Sequence, residues 1–94
     1  MKQLHAVVHG RVQGVFFRQT TKQKAVALGL VGWVRNLPNG TVEVKAAGTQ
    51  DQLESLVAFL HQGPTDANVT QVDLSWSNEP DETFEEFRVE HFHI

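Results

Sequence analysis

Cysteine is absent from the 94 residues, which excludes a disulfide framework, a thiol nucleophile and a thiolate metal site. Tyrosine is absent too, and with it one of the aromatics on which nucleic-acid bases stack. Long apolar runs are missing: the longest, counting glycine, is the ten residues from Ala25 to Val34, half of the ~20 that a membrane helix needs. The first eleven residues lack the apolar centre of a signal peptide. A soluble, cytoplasmic chain with no membrane contact is expected. Acidic residues are nearly missing from the first half, where Glu43 stands alone.

What is present reads as one folded domain over 1–94. A hydrophobic fraction of 40% with 20% charged residues is globular rather than disordered. The length allows a core without staples. The net charge of −3 divides unevenly: residues 1–48 carry +6 and residues 49–94 carry −9. Such asymmetry can mark an anion-binding region, and the first half is where it would lie.

Periodicity sets out the elements. Leu4, Ala6 and Val8 alternate against His5, Val7 and His9, as in a strand with one buried face. Phe17, Thr21, Ala25 and Leu28 recur at helical spacing, with Gly29 as the stop. Leu30 to Asn36 and Thr41 to Ala47 read as a hairpin across the Asn39-Gly40 turn. Thr49-Gln50-Asp51-Gln52 is a capping box, and Leu53, Leu56, Val57 and Leu60 follow on one helical face that Gly63-Pro64 ends. Val69 to Trp76 alternates again, Ser77 to Glu86 reads as an acidic loop, and Phe87 to Phe92 as a last strand. The order β-α-β-β-α-β predicts an α+β, ferredoxin-like sandwich: a four-stranded antiparallel sheet, with room for a short extra strand, and two helices on one face. That fold hosts enzymes, metal carriers and RNA binders alike.

Chemistry concentrates in Gly10-Arg11-Val12-Gln13-Gly14-Val15-Phe16-Phe17-Arg18, between the first strand and the first helix. Glycine-rich backbone can aim several N–H groups at one point, a helix N-terminus adds partial positive charge, and Arg18 offers a planar fork. The segment is therefore either a one-phosphate anion cradle or a tight turn beside a surface arginine. Neither the Walker pattern nor the dinucleotide fingerprint is met. In Gly32-Trp33-Val34-Arg35-Asn36, Trp33 suits packing, and Asn36 is either a turn residue or a carboxamide that holds a water or a substrate oxygen.

These two motifs, with Gly40-Thr41-Val42-Glu43-Val44, resemble the acylphosphatase family, closely over residues 4–62 and in element order beyond. The resemblance implies hydrolysis of acyl phosphates, small-molecule substrates, to carboxylate and inorganic phosphate without metal or cofactor. It makes Arg18 the substrate-binding arginine and Asn36 the residue that positions the attacking water. Gln13, Gly14, Val15, Phe16 and Phe17 match the loop whose backbone amides hold the phosphoryl oxygens. A carboxylate leaves readily, so no general acid is required, and a phosphoryl oxygen can take the water's proton.

Rival readings remain. A non-catalytic phosphate-binding or regulatory module of the same fold could carry both motifs; the start at Met1 and the short chain favour the enzyme. RNA binding wants paired aromatics and a basic face, which are lacking, so no nucleic-acid partner is expected. His91 and His93 are expected as exposed strand histidines rather than metal ligands. His5 and His9 belong to the solvent side of the sheet, and Glu79, Asp81, Glu82, Glu85 and Glu86 to a solvated loop. A monomer is expected.

Overall fold

Alternating apolar residues build a sheet whose one face is sealed by two helices. The computed structural model describes residues 1–78 and 82–91. Their elements are β1 (Lys2–Arg11), α1 (Phe17–Ala27), β2 (Val31–Asn36), β3 (Val42–Gly48), α2 (Gln50–Gln62), β4 (Asn68–Ser77) and β5 (Phe87–Val89). The sheet runs β4-β1-β3-β2-β5. The four expected strands pair antiparallel, and the short fifth strand adds parallel to β2 through Gly32, Trp33 and Val34.

Register decides which residues meet the helices. Leu4, Ala6 and Val8 of β1 lie opposite Ala46, Val44 and Val42 of β3, and all six are fully buried. Phe17 and Ala25 of α1 and Leu53, Leu56 and Leu60 of α2 close over them, with Phe87 of β5. The capping box forms as the sequence demands: Thr49 accepts from the Gln52 amide, and the Gln52 side chain accepts from the Thr49 amide. Leu74 and Trp76 share the helix-side face, since they pair with Ala6 and Leu4, yet both stay more than a third exposed. They sit on an edge strand with neighbours on one side only. Among the described residues no helix is long and apolar enough to cross a membrane.

The opposite face is polar and laced by pairs across strands. His5 and Arg35 both hold Glu43, at 2.7 and 2.6 Å, and His9 meets Asp73 at 2.8 Å. Arg35 lies over the Trp33 ring, 4.7 Å from its centre, and Trp33 is buried, in keeping with a packing role. Burial would push the Glu43 carboxyl up, but the hydrogen bonds and charges of His5 and Arg35 outweigh it and hold the group below its ordinary range. The chain after β4 crosses this face near its edge, where the buried Gln3 donates to the Glu82 carbonyl at 2.6 Å. Glu82, Glu85 and Glu86 lie in that loop, as expected; Glu79 and Asp81 fall outside the described residues.

Candidate active site

Beyond β1 the chain must turn sharply into α1, and it does so through left-handed backbone. Gly14 has φ 75° and Phe16, the N-cap of α1, has φ 61° and ψ 24°. Between them Val15 is buried in the core and anchors the loop. Among the described residues, no acceptor takes the backbone N–H of Gln13, Gly14, Val15 or Phe16. The helix start is likewise uncapped by any side chain, and its first turn holds no acid. The contrast with the boxed start of α2 is chemical: there the Thr49 and Gln52 amides are satisfied by side chains, whereas α1 presents its free donors with the positive end of the helix dipole.

Arg18 stands in the first turn of α1, half-exposed, and among the described residues no carboxylate pairs with it. Its guanidinium lies 3.4 Å from Nδ1 of His91. Asn36 ends β2 opposite Val42 and so faces the helix side of the sheet. Its Oδ1 is buried and has no hydrogen-bond partner, an unsettled state for an amide oxygen unless water or a ligand completes it. Gly14, Phe16, Phe17, Arg18 and Asn36 line one pocket of about 340 Å³, with Val12, Gln19, Val89 and His91.

Gln13 does not line that pocket; its side chain has a different task. The amide nitrogen donates to the Leu37 and Thr41 carbonyls, both at 2.8 Å. These carbonyls flank the β2–β3 turn, so Gln13 straps the amide-bearing loop to the hairpin that carries Asn36. Asn39 tightens the same turn by accepting from the amide and hydroxyl of Thr41.

His91 is the residue that sequence reasoning misplaced. Expected as an exposed strand histidine, it is exposed but lies beyond the end of β5, where it lines the pocket beside Arg18. The strand stops at Val89, and only the parallel pairing of β5 with β2 brings the following residues over α1; no local pattern announces that. His93 falls outside the described residues. Glu43, the acid nearest the motifs in sequence, is on the other face of the sheet and engaged with His5 and Arg35. Among the described residues no three His, Asp or Glu side chains gather as a metal ion would require.

Known proteins resemble this chain over nearly its whole length. The acylphosphatase family model matches residues 4–89. An acylphosphatase of Salinibacter ruber is 48% identical over 88 residues, which span 94% of this chain and 92% of that protein. Among solved structures, the acylphosphatase of Bacillus subtilis superposes with a TM-score of 0.91 at 34% identity, covering 95% of this chain and 98% of its own. An acylphosphatase of Coxiella burnetii gives 0.86 at 42% identity over 95% and 92%.

Proposed function

This chain belongs to the acylphosphatase family and is an enzyme that hydrolyses acyl phosphates, and from that premise we propose that it does so without a metal, by an attack on phosphorus arranged by its own backbone and two side chains. The observation that carries the proposal is the convergence of an uncapped helix start, Arg18 and the unpaired Asn36 amide on one pocket.

The free amides from Gln13 to Phe17 and the Arg18 fork receive the three equatorial oxygens of the phosphoryl group and stabilise the charge they carry in the transition state. Asn36 holds the attacking water through its Oδ1, which places the nucleophile in line before reaction and removes most of the entropic cost of the encounter. The leaving group is a carboxylate and departs without a proton. The water's proton passes to a phosphoryl oxygen, which makes inorganic phosphate and leaves no protein base in the cycle. A cytoplasmic monomer acting on a small acyl phosphate, with no nucleic-acid partner, goes with this reading.

Benzoyl phosphate hydrolysis in excess chelator tests it beside Arg18→Ala. Chelator-resistant turnover that drops ~10²–10³-fold in the variant is expected. Arg18→Lys should recover little, since a point charge cannot replace the fork. Loss of activity in chelator with recovery on adding a divalent ion would overturn the metal-free mechanism. A folded wild type that binds phosphate and hydrolyses nothing would point to a binding module. The pH profile of kcat should lack a limb between roughly pH 4 and 7, where an essential carboxylate or histidine base would titrate. A limb abolished in His91→Gln would instead make His91 that base.

A further inference from the structure

Phe16 breaks two local rules at once. Among the described residues it alone, apart from glycines, has a positive φ. A bulky side chain is poorly suited to that conformation, which glycine or asparagine adopts readily. Nor does burial repay the strain, because the Phe16 side chain is 79% exposed. Local cost without local return gathers at functional sites. The place is telling: Phe16 is the N-cap residue of α1, next to the loop amides that no described acceptor takes, and it lines the same pocket as Arg18 and Asn36.

That pocket is larger than its anion. Its volume of about 340 Å³ leaves room beside one phosphoryl group. The remaining wall is furnished, among the described residues, by Val12, Phe16, Gln19, Val89 and His91, none of them acidic. An acyl group attached to a phosphate held at the amides must leave past this wall, where Phe16 is the described lining residue that is both large and apolar and exposed. We infer that Phe16 is the acyl platform of the enzyme, selecting acyl phosphates whose acyl group is flat and apolar, aromatic above all, over small aliphatic ones. The inference rests on the proposed function and names its substrate class.

Two stable analogues in which a methylene replaces the bridging oxygen, benzoylmethylphosphonate and acetylmethylphosphonate, read acyl recognition apart from turnover. The wild type should bind the benzoyl compound at least about tenfold tighter. In Phe16→Gly and Phe16→Asn, both at ease with positive φ, that ratio should fall about three- to tenfold, the range of an aromatic contact, while Phe16→Tyr keeps it. The kcat/KM ratio of benzoyl to acetyl phosphate should shift in parallel. A purely structural role for Phe16 would weaken both ligands alike and leave the ratios unchanged, which would overturn the inference. So would a wild type that binds the two phosphonates within twofold of each other. A wild type that hydrolyses neither acyl phosphate but shows the phosphonate ratio collapsing in the variants would refute the proposed function and keep the platform.

Discussion

A charged guanidinium and a neutral carboxamide can separate binding from attack. In the proposed mechanism Arg18 brings a full charge to the phosphoryl oxygens, whereas the Asn36 carboxamide can only orient a neutral water. Asn36→Ala should therefore lower kcat ~10²–10³-fold while the inhibition constant of inorganic phosphate stays within about threefold. Equal losses in both would remove the water-positioning role. Glu43 provides the opposite case, a charged residue inside a family motif with no part in the chemistry. Its carboxyl titrates below the ordinary range in the fold, so its contribution to stability is complete above about pH 4.3 and is lost as pH falls through the lower folded value. Glu43→Gln should unfold more easily at pH 6, by ~1–2 kcal/mol, with the gap narrowing in thermal melts as pH falls into the acid range. Its kcat/KM should remain within about twofold of wild type.

Between elements, the site depends on a strap. The amide-bearing loop follows β1 and Asn36 ends β2, and the described hydrogen bonds that tie the loop to the hairpin are the two from the Gln13 side chain. Gln13→Ala removes both and lets the phosphate-binding and water-holding halves drift. A misplacement near 1 Å can cost ~10²-fold. A 10- to 100-fold fall in kcat/KM is expected, with melting shifted by no more than a few degrees. A drop in stability alone, with kcat/KM intact, would show that the strap holds the fold rather than the site. Helix α1 makes the complementary point: its uncapped start is a cost to the helix that the capped α2 avoids, and it is what leaves donors for a ligand.

At the scale of the molecule, one core supports every part of the site. Leu56 of α2 is fully buried in the cluster that also contains Phe17 of α1 and Val34 of β2, the residues beside Arg18 and near Asn36. Leu56→Ala leaves a cavity there and should cost 2–5 kcal/mol, a large share of the ~5–15 kcal/mol available to a small domain. Urea unfolding should show the midpoint falling with its slope unchanged. The sheet also reconciles the charge asymmetry: β1, β2 and β3 from the basic half are flanked on both edges by β4 and β5 from the acidic half. Pairs such as His9–Asp73 and Lys45–Glu82 join the two halves.

Short-range physics was legible from the chain alone. Alternation in β1, the Asn39-Gly40 hairpin and the capping box at Thr49 each depend on neighbours a few positions away, so the order of residues specifies them. The motif residues from Gln13 to Arg18 and at Asn36 drew their expected roles from a family resemblance, since spacing alone left a turn as the other reading. Everything that required distant segments to meet was decided by tertiary structure. The parallel addition of β5 to β2 brought His91, 73 residues from Arg18, to the pocket. Edge position left Leu74 and Trp76 partly exposed despite a perfect core-facing pattern. Sheet register put Glu43 on the face away from the site, although it is close to Asn36 in sequence. The backbone of Phe16 became left-handed because the chain must turn from β1 into α1 there, a demand that the residue's own preference opposes. Local preference chooses an element, but only the closed sheet and its core determine which residues share a cavity.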